Sequence, residues 1–115
     1  MSGIVANYIG SLDEPVIYPL TSSAKTTVFT VEAKGRTLAT VMLANDTAGA
    51  VPCKIHFEDI SAATEYVIWT GSAPANSTVT AEVHIRTQVG DVIKVTGANS
   101  VTVTLQMIAQ LENAR

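Results

Sequence analysis

The chain of 115 residues is 47% hydrophobic and only 15% charged, with a formal net charge of −3, whereas a typical soluble domain carries about 25% charged residues. That length suits a single domain with a buried core, and no apolar run approaches the roughly 20 residues of a membrane helix. Seven Lys and Arg, spread along an acidic chain, argue against nucleic acid as the main partner, because no basic cluster exists to displace phosphate counterions.

Low charge also sets an expectation about association. Interface cores are depleted in charged residues, so the chain is expected to hide surface against copies of itself or within a larger assembly. The opening Met1-Ser2-Gly3-Ile4-Val5-Ala6 has no basic start and no long apolar run, and is not expected to act as a secretory signal. A single cysteine, Cys53, excludes an intramolecular disulfide, which fits synthesis in a reducing cytoplasm.

Residues 1–25 differ from the rest. Asp13-Glu14-Pro15 and Tyr18-Pro19-Leu20 break helices and central strands, since proline fixes φ and lacks the amide donor. Yet Ile4, Val5, Tyr8, Ile9, Leu12, Val16, Ile17 and Tyr18 are apolar, where a disordered tail would be poor in such residues. The segment reads as an extended arm lying against something, either a neighbouring subunit or its own domain. Ile4, Val5, Tyr8, Ile9, Leu12, Ile17 and Tyr18 are its candidate partner-binding residues.

From residue 26 the chain alternates. Seven strands are expected at about 26–32, 37–45, 51–58, 64–70, 77–85, 91–96 and 100–109, with a short eighth near 16–20. Val51 to Glu58, Ser77 to Ile85 and Ser100 to Met107 each place apolar residues at every second position, which puts one face of a strand in a core and the other in water. Lys34-Gly35, Asn45 to Gly49, Gly71 to Asn76, Gly90-Asp91 and Gly97-Ala98-Asn99 supply the turn chemistry between them. Short strands spaced about ten residues apart predict an all-β fold, a single antiparallel sandwich or jelly roll of seven to eight strands. The expected organisation is an arm over 1–25, a sandwich over 26–110 and a tail over 111–115.

Candidate chemistry is sparse. His56 and Glu58 share the polar face of one strand, and Glu82 and His84 that of another. They would converge as metal ligands only if the two strands were neighbours in register; two solvated faces are the simpler reading, and no metal or other cofactor is expected. Cys53 falls on the inward register with Val51, Ile55 and Phe57, as a small hydrophobe rather than a thiolate. Alternation places Trp69 on the face of Val67, with Tyr66 and Ile68 opposite, so one of the two aromatics, Tyr66 or Trp69, is expected at the surface. No phosphate loop, nucleophile elbow or Cys-x-x-Cys pair is present, and the chain is not expected to be an enzyme. Asp91 reads as a turn aspartate whose carboxylate hydrogen-bonds backbone nearby.

Several of these segments together resemble a known group. Ile17-Tyr18-Pro19-Leu20-Thr21 precedes the Thr-rich Thr26-Thr27-Val28-Phe29-Thr30-Val31. Leu43-Ala44-Asn45-Asp46-Thr47 closes the next strand. Pro74-Ala75-Asn76-Ser77-Thr78 and Gly90-Asp91-Val92-Ile93-Lys94-Val95 follow, then Val101-Thr102-Val103-Thr104-Leu105. Over residues 15–110 this is similar to the small β-sandwich virion proteins of tailed bacteriophages, found as head decoration proteins or as small tail, neck and baseplate components. The resemblance implies a structural subunit without catalytic residues, made in the bacterial host cytoplasm and incorporated into the virion in many copies. Its expected partners are itself, as a trimer, and the major capsid protein or other virion proteins, with neither nucleic acid nor membrane. A tail or baseplate component meeting host surface glycans through Tyr66 and Trp69 is the alternative that it leaves open.

Overall fold

The computed structural model describes residues 11–12 and 14–109, with side chains from Glu14 onward. It contains β1 (Ser11–Leu12), β2 (Val16–Pro19), β3 (Thr26–Thr30), β4 (Arg36–Asn45), β5 (Val51–Asp59), β6 (Thr64–Ala73), β7 (Ser77–Arg86), β8 (Val92–Thr96) and β9 (Val101–Ala109), and no helix among the described residues. All pairings are antiparallel.

The connectivity is that of a chain folded as one long hairpin and then rolled. The first strands β1 and β2 pair end to end with the last strand β9, β3 pairs with β8, β4 with β7, and β5 with β6. Two further pairings, β4 with β9 and β5 with β8, join these ribbons into two sheets. Sheet A has the order β1/β2-β9-β4-β7 and sheet B the order β3-β8-β5-β6. Counting β1 and β2 as one interrupted position, this is an eight-position jelly roll.

Alternation explains why each strand sits where it does. On β9, Val101, Val103, Leu105 and Met107 are buried while Thr102, Thr104, Gln106 and Ile108 are only partly covered. On β4 and β5, Leu38, Val41, Leu43, Cys53, Ile55 and Phe57 enter the same core, with Val28, Ile93 and Val95 from the rest of sheet B. Burying an aliphatic side chain of this size contributes about 1.5–3 kcal/mol.

The segment 14–25, read from the sequence as part of the arm, supplies β2 to the edge of sheet A and Leu20 to the core. Backbone hydrogen bonds between Leu20 and both Val101 and Ser100 hold it there. Ile4, Val5, Tyr8 and Ile9, and the tail over 111–115, lie outside the described residues.

Two boundaries depart from the sequence reading. Strand β6 runs to Ala73, not to 70, so Gly71 and Ser72 belong to a strand rather than to a turn. Gly71 is glycine for want of space: a Cβ there would lie 2.7 Å from two ring carbons of Trp69. Ala73 is buried opposite Val51, and its carbonyl accepts from Asn45 Nδ2 at 2.9 Å.

Asn45 is the polar pin of this end. Its side chain is buried and its amide also donates to the carbonyls of Gly49 and Pro74. Its Oδ1 accepts from the backbone amide and the hydroxyl of Thr47. At the other end Asp91, equally buried, accepts from the amides of Ile60 at 2.9 Å and Gln88 at 2.7 Å, tying the β5–β6 turn to the β7–β8 turn. Gly90, at φ 99°, completes that turn in a region that L side chains rarely adopt. Replacing Asn45 by Ala strands several buried acceptors and donors, and should cost about 1–3 kcal/mol. Urea denaturation would read this as a lower midpoint at unchanged slope; an unchanged midpoint would remove Asn45 from this role.

Candidate interaction surfaces

Residues directly opposite one another in a ladder share a face, so the registers write out the two outer surfaces. On sheet A one row runs Pro19–Thr102–Ala44–Thr78 and the next Ile17–Thr104–Met42–Thr80. A third row, Gln106–Thr40–Glu82, brings the first charge. Ile17 is 63% exposed and Met42 39%, so two rows spanning the sheet offer methyl, thioether and hydroxyl groups and no charge. Such a face is wetted readily yet costs little to desolvate, since no ion must lose its hydration.

Sheet B is the opposite. Its rows are Thr96–Lys54–Thr70, then Thr27–Lys94–His56–Val67, then Thr30–Val92–Glu58–Glu65. Lys94 Nζ lies 3.0 Å from Glu58 and 3.1 Å from Glu65, and Lys25 from the β2–β3 connection also bonds Glu65. The hydrogen bonds from Lys25 and then Lys94 hold the Glu65 carboxyl below its ordinary value, and those that Lys94 donates to Glu58 and Glu65 raise Lys94.

His56 stands inside this cluster and, although on the outer face, is buried. Its Nε2 is 3.0 Å from Thr96 Oγ1. Its Nδ1 has no hydrogen-bond partner among the described residues; Glu65 Oε2, 3.5 Å away, lies beyond ordinary hydrogen-bond length. Burial pushes the imidazole below its ordinary value of 6.5, Glu65 opposes this, and Lys25, Lys54 and Lys94 add to the lowering.

Beside His56 the surface sinks into a depression of about 590 Å³, lined by Lys25, Lys54, His56, Thr70, Thr96 and Ser23, with Pro52, Cys53 and Gly97 as its apolar part. Cys53 is itself buried and its thiol is raised by that burial, as befits a core side chain.

The two histidines do not meet. His56 belongs to β5 in sheet B, whereas His84 belongs to β7 in sheet A, and no group of three or more His, Cys, Asp or Glu fit to hold a metal occurs among the described residues. The facing expected for Trp69 is corrected by a bulge. Ile55 pairs with Trp69 but His56 pairs with Val67, so Ile68 is an extra residue and the alternation shifts by one. Ile68 and Trp69 both pack against the core, while Tyr66 is 50% exposed and Val67 54%. Only one ring of this pair is therefore available at the surface.

The candidate arm residues are spread out. Leu12 pairs with Ile108 in β1, Ile17 faces outward from sheet A, and Tyr18 sits opposite Val103, 37% exposed at the sheet edge. Sequence alternation carried no signal for the burial of His56, which depends on side chains arriving from three other strands or connections.

No family model matches the chain, and no curated protein matches it. Among solved structures it is similar to the nucleoplasmin-like N-terminal domain of Drosophila FKBP39, at 12% identity over 91% of this chain and 94% of that one, with a TM-score of 0.54. A protein of Bacillus endospore appendages, described as forming disulfide-linked pili, gives 11% identity over 89% and 91%, with a TM-score of 0.52. A pentameric capsid protein from metagenomic phage sequences gives 12% identity over 95% and 70%, at a TM-score of 0.41, a likeness too loose to argue from. The first two likenesses agree with a β-sandwich or jelly-roll fold and reach no further.

Two measurements check these assignments. Trp69→Ala should destabilise the fold by about 3–5 kcal/mol, as loss of a large packed ring does, while Tyr66→Ala should change stability by less than about 1 kcal/mol; equal effects would contradict this difference in packing. Because the folded pKa of His56 lies below the unfolded value of 6.5, its contribution is full above that pH and is lost as pH falls through the folded pKa. Denaturation midpoints should fall between pH 8 and 5.5, less steeply in His56→Gln.

Proposed function

We propose that the chain is a non-enzymatic structural subunit of a virion, a homo-oligomeric capsid decoration protein whose N-terminal residues and sheet A meet its neighbours. The observation that carries this reading is the pair of uncharged rows that crosses the outer face of sheet A, since a surface of that kind is inexpensive to bury against protein. The composition agrees with it: a 15% charged chain nevertheless concentrates Lys25, Lys54, Lys94, Glu58 and Glu65 on or beside one sheet.

Free strand edges support the same reading. Strands β6 and β7, each of ten residues, are the outer strands of their sheets among the described residues, and an unpaired edge is a template for another chain. The fold is also one that an appendage-forming protein resembles. A trimer is the proposed oligomer, with the major capsid protein the proposed partner and the virion the proposed location.

Two variants test the reading. Met42→Glu introduces a charge in the middle of the uncharged rows and should weaken self-association at least about tenfold, the effect of roughly 1.4 kcal/mol, as read by native mass spectrometry and sedimentation. A wild-type protein that is monomeric at all concentrations would overturn the oligomer. Removal of residues 1–10 spares β2 and Leu20, so the truncated chain should keep its fold and lose binding to capsids in a co-sedimentation assay. Undiminished capsid binding would remove the N-terminal segment from the contact.

A further inference from the structure

We propose that the depression on the outer face of sheet B is an oxyanion-binding site in which Lys54 supplies the charge, Thr70 and Thr96 supply hydroxyl donors, and His56 couples occupancy to pH. The inference is independent of the virion reading, because it rests on the geometry of this face alone.

The lining is selective in sign. Two lysines, one histidine and the hydroxyls of Ser23, Thr70 and Thr96 border the depression, and none of its nine lining residues is acidic. The carboxylates of the face lie outside it: Glu58 is engaged by Lys94, and Glu65 by Lys94 and Lys25. Lys54 has no carboxylate partner among the described residues. It stands in the middle of the row Thr96–Lys54–Thr70, so the ladder itself sets a threonine on each side of the lysine. The ammonium and hydroxyls match the acceptor atoms of a sulfate, phosphate or carboxylate group. A volume of about 590 Å³ leaves room for the body of a ligand that carries such a group.

The buried imidazole supplies the second, independent observation. More than nine-tenths of the His56 side chain is covered, it lines the depression, and its Nδ1 has no hydrogen-bond partner among the described residues. With Glu65 Oε2 3.5 Å from Nδ1, the neutral tautomer favoured is the one bearing hydrogen on Nδ1, since a lone pair there would face a carboxylate. Nε2 then accepts from the Thr96 hydroxyl, 3.0 Å away, and that hydroxyl has no proton left for a ligand. Protonation at Nε2 reverses the bond: Nε2 donates, Thr96 Oγ1 accepts, and the Thr96 proton turns free to donate into the depression.

An oxyanion and a proton on His56 therefore favour one another, and linkage makes the effect reciprocal. The groups that face the imidazole are Lys25 from the β2–β3 connection, Lys54 from β5, Lys94 from β8 and Glu65 from β6. The three cations resist its protonation, and an anion beside Lys54 offsets them.

The test reads the imidazole signals by NMR as sulfate replaces chloride at constant ionic strength. His84, 65% exposed on the other sheet, serves as internal control. The His56 signals should move saturably and its apparent pKa should rise by roughly half a unit, so that sulfate binds about threefold tighter below that pKa than above it. Lys54→Met should abolish the response, and Thr70→Val should weaken it without unfolding the protein. Acetate in place of sulfate tells a planar from a tetrahedral oxyanion, and saturable movement of His56 with either one sustains the site. No response to either ion, His56 and His84 shifting in parallel, or an undiminished response in Lys54→Met would each overturn it.

Discussion

Strand β9 is the element on which the rest of the architecture depends. It lies between the earliest strands of the chain and β4, bonded to β2 on one side and to β4 from Arg36↔Ala109 to Asn45↔Val101 on the other. Its inward side chains, Val101, Val103, Leu105 and Met107, are all buried. Without β9, sheet A would be reduced to the β4–β7 pair, and β2 and Leu20 would have no partner. Most of the defining contacts join residues far apart in sequence, so loop-closure entropy must be met before they form; ordering of this kind is slow in all-β chains.

Much of the fold was legible because one face of nearly every strand is buried. Where that holds, a slip of one residue would turn the apolar set outward, so the alternation in Val51 to Phe57 and Val101 to Met107 states the register outright. What alternation cannot state is where it breaks. The extra residue at Ile68 puts Val67 and Trp69, which plain alternation places together, on different faces, and further register shifts lie between Leu38 and Thr40 and between Thr27 and Phe29. A bulge is chosen by the partner strand, and the partner is not written in the segment itself. The extension of β6 through Gly71 has a similar origin, since a residue with turn chemistry is retained there for the room that an indole takes.

The candidate surfaces divide in the same way. The polar, Thr-rich face of sheet A follows from period-two spacing, and only the pairing order was needed to align Ile17, Thr104, Met42 and Thr80 into one row. His56 is different. Its strand position marks it as outward, and outward residues are ordinarily wet, yet Lys25, Lys94 and Glu65 converge on it from three separate parts of the chain. Long charged side chains cover neighbours with their stems while keeping their ends hydrated, so a histidine can be buried on the outside of a sheet.

One stretch joins the two faces physically. Ile17 and Pro19 end the uncharged rows of sheet A, Leu20 enters the core, and Ser23 and Lys25, a few residues later, form part of the rim of the depression on sheet B. The wall below that rim includes Gly97 and Cys53, and a Cβ on Gly97 would lie 2.9 Å from Leu20 Cδ1 and 3.6 Å from Cys53 Sγ. Close packing transmits displacement because the interior has little free volume. Leu20 thus packs against Gly97 between the edge of sheet A and the rim that carries Lys25. The uncharged rows and the cationic depression lie on opposite sides of the sandwich, so occupation of one leaves the other open.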